Sequence, residues 1–167
     1  VNIRKILVAI AAIAATAAPA PLLAAQTASA SGRALLLLPL TLTKVNDLDF
    51  GTVVPSSSSG TVSIAADGSG QSVTGGVTPV ASGTATRAVF AGGGTAGQQV
   101  NIFLAPPASL SDGNGNSVPI SLSLDQSVVT IDSTRAFSVG IGGTVTVGAN
   151  QAEGTYTGTF TVLAQYN

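Results

Sequence analysis

Gly154-Thr-Tyr-Thr-Gly-Thr-Phe-Thr-Val-Leu-Ala-Gln-Tyr-Asn167 alternates along most of its length. The even positions are Tyr156, Gly158, Phe160, Val162, Ala164 and Tyr166, and the odd ones are mostly polar: Thr155, Thr157, Thr159, Thr161 and Gln165. A period of two belongs to a strand with one face on a core and the other on solvent. The spacing predicts a strand over 155–166, roughly 40 Å long at about 3.3 Å per residue. Neither lysine nor proline blunts it after Gly154, and nothing follows to pair with its outer side. The reading therefore leaves an edge open. Either an N-terminal strand of the same chain closes it, or a strand of another molecule does.

The same signature recurs upstream. From residue 26 onward short apolar alternations are broken by Gly, Pro, Asn, Asp and Ser, which predicts strands and turns in place of helices. Candidate strands are 40–44, 47–54, 61–65, 85–91, 100–104, 120–124, 128–131, 135–139, 144–147 and 155–166. Candidate loops are 55–60, 66–70, 92–97, 106–116 and 148–154. Valine and threonine dominate the strands because β-branched side chains suit a pleated, half-buried surface. The expected fold is all-β, an antiparallel sandwich over residues 40–167.

Composition narrows the chemistry. The chain has 167 residues and no His, Cys, Met or Trp. No disulfide, thiolate or imidazole base is available, which excludes most hydrolase and metalloenzyme mechanisms. Five Phe and two Tyr leave the core to Val, Ile, Leu and Ala. Residues 2–5 carry Arg4 and Lys5, and an apolar run from Ile6 to Ala18 precedes Pro19, Pro21 and small residues. That order is a secretory signal, and the run falls short of the roughly 20 apolar residues of a membrane span. Residues 1–25 are expected to be the signal peptide, cleaved after Ala25 or after Ala30, so the mature protein has no integral membrane span. Four basic residues then face seven acidic ones. Such a surface offers no footprint for nucleic acid.

Residues 26–39 form an N-terminal extension with strand periodicity. Thr27, Ser29, Ser31 and Arg33 alternate with Ala28, Ala30, Gly32 and Ala34, and the apolar parity continues into Leu36 and Leu38. The segment is a candidate donor strand for the groove of another copy. Ordering about ten residues costs roughly 10–20 kcal/mol, while each buried methyl returns about 0.8 kcal/mol. Leu36, Leu38 and the main-chain ladder would therefore have to contribute most.

Three stretches resemble the DUF4402 family of secreted bacterial proteins. They are Leu48-Asp-Phe-Gly51, the run from Phe90 through the glycines to Pro106, and Gly143 to Val162. That family is similar in pattern to spore-coat-U-type domains and chaperone–usher pilins. Those pilins also end in a strand with a penultimate aromatic, matched by Tyr166. The resemblance implies an immunoglobulin-like, pilin-like sandwich lacking its last strand. A periplasmic chaperone would complete it first, and then a neighbour's extension by donor-strand exchange, with an outer-membrane usher directing assembly. The implied product is a homopolymeric cell-surface fibre. Many of those pilins carry a disulfide, and this chain cannot.

Apparent chemical motifs have plainer explanations. Gly92-x-Gly94-x-x-Gly97 has the dinucleotide spacing but leads into a strand pattern, where the phosphate reading needs a helix. Asp112, Asn114 and Asn116 begin like a calcium loop, but Ser117 and Ser123 stand where Gly and Glu are required. Lys44 is the one lysine beyond the signal segment, and no Ser-x-x-Lys accompanies it. No catalytic, metal or cofactor-binding residue is assigned, and no enzyme is expected. The alternative function is a monomeric secreted module binding glycan or protein.

Overall fold

The structure is a computed structural model that describes residues 26–167; the signal peptide expected over 1–25 lies outside the described residues. Among the described residues there are ten strands and no helix. The strands are β1 (Thr41–Asn46), β2 (Val53–Ile64), β3 (Gln71–Pro79), β4 (Ala88–Gly93), β5 (Gln99–Ala105), β6 (Ser109–Ser111), β7 (Ser117–Leu124), β8 (Val128–Thr130), β9 (Ala136–Val147) and β10 (Thr161–Tyr166). One antiparallel sheet runs β1-β4-β9-β2-β3, with β7 also on β9 and β6 on β7; the second runs β10-β5-β8. The expected all-β sandwich is what forms.

Its spine is β9. Residues 136–141 pair with β4, while residues beyond Gly140 pair with both β2 and β7. Every second residue faces the core: Phe137, Val139, Ile141, Val145 and Val147 are all buried. The glycines between them admit main chain on the opposite face. A Cβ on Gly142 would collide with the Ile64 carbonyl oxygen and lie 2.5 Å from the Ala66 nitrogen. Arg87 lies over Gly140, donates to the Ala66 carbonyl and pairs with Asp125 at 3.8 Å.

Two apolar clusters fill the interior. Val100, Ile102, Val129, Ile131, Phe137 and Val139 form the first, with Leu40, Leu42, Val162, Ala164 and Tyr166 packed against it. Val62, Val77, Val145 and Val147 form the second, with Phe50, Leu110 and Ile120 half-buried at its margin. The first is covered by both sheets. The four residues of the second all come from strands of the first sheet.

Several boundaries differ from the sequence reading. The segments 135–139 and 144–147 are one strand, because the intervening glycines serve close packing and not a turn. The proposed loop 55–60 lies inside β2, where the register with β3 shifts between Pro55 and Gly60. Strand β3 falls in a stretch that the sequence assigns to neither strand nor loop, and β6 lies within the candidate loop 106–116. Residues 47–52 are irregular apart from a single Asp49–Thr86 bridge. The last strand is regular only from Thr161; upstream, Thr157 is bridged to Ser111.

The turns rest on aspartates. Asp112 Oδ1 accepts the amides of Asn114 and Asn116 at 2.8 and 3.0 Å, and Oδ2 accepts the Asn116 side-chain amide at 2.6 Å. Asp132 Oδ1 accepts from the Thr134 hydroxyl and amide and from the Ala136 amide. Asp67 accepts the Ser69 amide. Hydrogen bonds to the charged form hold all three carboxyls below their usual value, led by Asn116, Thr134 and Ser69 respectively. A lowered folded-state value stabilises the fold above the unfolded carboxylate value of about 3.9 and ceases to do so as pH falls through the folded value. With no histidine to titrate, thermal melting should be flat from about pH 8 to 5 and fall only below about pH 4. Asp132→Ala should make that acid decline shallower; a wild-type decline centred near pH 6 would contradict the assignment.

Candidate functional site

The C-terminal strand bonds on one side only. Asn167 donates its amide to the Gln99 carbonyl at 3.0 Å, and Ile102 donates away from β10, to Ser127 at 2.8 Å. Together these fix the parity: odd residues of β10 bond to β5, and the N–H and C=O of Val162, Ala164 and Tyr166 point to the opposite edge. Upstream, Thr157 exchanges both main-chain bonds with Ser111, at 2.8 and 2.9 Å. That bridge ties the segment to β6, which pairs with β7 of the first sheet, whereas β10 itself pairs with β5 of the second. Among the described residues β10 has one neighbour, β5.

Sheet ends with an open edge are also found at β1, β3 and β8. What sets the C-terminal segment apart is the groove of about 910 Å³ along its approach. Residues 151–158 and Phe160 form one wall, and residues 47–53 with Pro55 form the other. The floor is Val118, Ile120, Val145 and Val147, of which only Ile120 is half-buried and the rest are buried, so the groove reaches the margin of the second core cluster.

Both walls are held by polar staples. The Tyr156 hydroxyl donates to the Ala152 carbonyl and accepts from Gln151 Nε2, each at 2.8 Å. Gln151 Oε1 accepts the Gly148 amide at 3.3 Å. On the facing wall, Asp49 and Thr86 exchange two main-chain bonds of 2.9 Å. The Asp49 carboxylate accepts the Gly51 amide at 2.8 Å, and Gln71 Nε2 donates to the Phe50 carbonyl at 2.7 Å. Gly51 has φ of 75°, so glycine suits the tight turn after Phe50. This gives the Leu48-Asp-Phe-Gly51 stretch a physical role: it builds a groove wall. Asp47, Asp49 and Glu153 make the rim acidic.

The family model for DUF4402, a domain of unknown function, matches residues 40–166. The chain belongs to the DUF4402 family. No curated protein and no solved structure matches it. The matched stretch of this DUF4402 domain holds both groove walls and the open β10 edge, and it begins after the leading segment.

The groove-side residues named from sequence divide into two sets. Tyr156, Gly158 and Phe160 line the groove. Val162, Ala164 and Tyr166 continue the same parity but pack on the first core cluster. The Phe160 ring meets Phe90 edge-on at 6.2 Å, at the junction of the two sets. Of the donor residues, Ala28, Ala30, Gly32, Ala34 and Leu36 are exposed and carry no regular structure. Leu38 differs: its amide donates to Thr95 Oγ1 and its carbonyl accepts from the Tyr166 hydroxyl, both at 2.7 Å. The facing wall, 47–55, escaped sequence reasoning as part of the site. Its one signal was the Leu48–Gly51 motif.

Proposed function

We propose that this protein is a structural subunit of an exported bacterial surface fibre, joined to its neighbours by strand donation. The leading segment of one copy would lie along the open edge of the C-terminal strand of the next and close its groove. The observation that carries this reading is the coincidence of two vacancies on one segment. The unpaired main-chain edge of β10 continues directly from the segment 151–160 that walls a cleft at the margin of the second core cluster. A strand satisfies both at once: its amides and carbonyls complete the ladder while its alternate side chains cover apolar surface. A small ligand would leave the edge unpaired.

The leading segment has suitable chemistry. Its small even residues fit beside the half-buried Tyr156 and Phe160, and its one cation, Arg33, complements the acidic rim. A periplasmic chaperone would cover such a cleft until an outer-membrane usher exchanged it for the leading segment of the next copy. The role is structural and not catalytic, in keeping with acids committed to turns and the absence of His and Cys.

Purified mature protein should form multimers that resist SDS at room temperature, whereas a chain lacking residues 26–36 should stay monomeric. A shortened chain that still assembles would overturn the proposal. A wild-type monomer that binds a glycan in the groove would favour a secreted binding module.

A further inference from the structure

Tyr166 closes the last strand and, at the same time, grips the chain where the leading segment begins. Its hydroxyl donates to the Leu38 carbonyl at 2.7 Å and accepts the Thr95 amide at 2.8 Å. The Leu38 amide completes the ring by donating to Thr95 Oγ1 at 2.7 Å. Three residues far apart in sequence thus satisfy one another in a closed triangle.

The surroundings are built for this contact. Gly94 has no side chain because a Cβ there would strike the Tyr166 hydroxyl and lie 2.8 Å from Ile131 Cδ1. Pro39 restricts Leu38 to an extended backbone, which turns its N–H and C=O outward as a pair. Leu40 then packs on the core cluster that holds the Tyr166 ring. Outside the triangle Leu36 is 86% exposed.

We infer that Tyr166 is a positioning residue that anchors the root of the leading segment, so that Leu38 stays with its own subunit and only residues up to Leu37 can reach another molecule. The anchoring stands by itself; its consequence for the length of the donated strand rests on the strand-donation reading. Under that reading, Tyr166 both ends the accepting edge and fixes the departure point of the donating one. A short and fixed link between subunits follows.

Amide hydrogen exchange on the full mature chain tests the anchor. Tyr166→Phe keeps the ring and removes the hydroxyl, and the Leu38 and Thr95 amides should then exchange about fivefold to tenfold faster, the effect expected for losing a single hydrogen bond. The Val100 and Ile102 amides, in the same core cluster, should be unchanged. Thr95→Val, which removes only the hydroxyl, should speed Leu38 alike and guards against a folding defect in the first variant. Unaltered Leu38 exchange in Tyr166→Phe, with Thr95→Val speeding it or not, would overturn the anchor.

The boundary of donation is read separately, and the absence of native cysteine makes the chemistry clean. In a Leu38→Cys/Thr95→Cys chain, an internal disulfide should leave assembly as efficient as in the reduced form. A disulfide that blocks assembly, with the reduced chain assembling normally, would show that Leu38 must leave its subunit. If neither the wild type nor any variant assembles, strand donation fails while the exchange result still decides the anchor.

Discussion

Ile141→Ala should destabilise the subunit by about 2–5 kcal/mol, the range for removing a large aliphatic side chain from a packed core. Ile141 is fully buried at the point where β9 changes partners. It pairs with Ala88 of β4 and Leu124 of β7, and so ties together chain segments distant in sequence. The site has little freedom to collapse around the lost methyls. Gly140 and Gly142 on either side are covered by Arg87 and by the main chain of residues 64–66, leaving no slack on the outer face. Retained cavity volume is what makes such truncations costly. Urea unfolding should show a lower midpoint with the slope unchanged. A loss below about 1 kcal/mol would mean that β9 relaxes where the packing says it cannot.

Deletion of residues 26–36 should have the opposite profile: little change in stability and complete loss of multimers. The compact body is residues 36–167, and the described residues before it are exposed and outside any sheet. Removing exposed residues without partners changes stability by only about 0.5 kcal/mol. Assembly is another matter. The backbone cost of ordering the segment, roughly 10–20 kcal/mol for ten residues, is not met by the methyls of Ala28, Ala30 and Ala34. Under the strand-donation proposal, the accepting subunit would supply what the donor lacks. Covering Phe50, Leu110, Ile120, Tyr156 and Phe160 removes apolar surface from water on the groove side, and the ladder on the even residues satisfies main-chain groups left open in the free subunit. On that proposal, the donor would act mainly as a lid and a ladder. A melting temperature equal to that of the unassembled full-length subunit, with monomer-only gel filtration, is the expected pair of results for the shortened chain.

Much of this was legible in the sequence wherever the period was clean. The alternation from Tyr156 to Tyr166 matches the half-buried even positions except at Gly158, which is exposed, and the strand is regular only from Thr161. Reading failed where glycine served packing and not turning. Gly140, Gly142 and Gly143 look like a break between two strands, but they let β2, the chain after it and β7 approach the middle of β9. Strand β3 was missed because Thr74, Gly75 and Gly76 separate its two valines, Val73 and Val77, so no apolar–polar alternation marks it. The groove itself could not be read locally. Its floor comes from β7 and β9, its walls from residues 47–55 and 151–160, and only the fold brings them together. The Tyr166–Leu38 contact spans 128 positions and left no local trace beyond the aromatic itself.

Amide exchange along β10, compared between free subunit and assembled fibre, reads the central claim directly. In the free subunit the amides of Val162, Ala164 and Tyr166 face the unpaired edge and should exchange rapidly, while Leu163 and Gln165, bonded to β5, are protected. In the fibre the three even-numbered amides should become strongly protected. Fast exchange at Val162, Ala164 and Tyr166 in fully assembled fibres would contradict the account, because the strand would then have no partner on its open side.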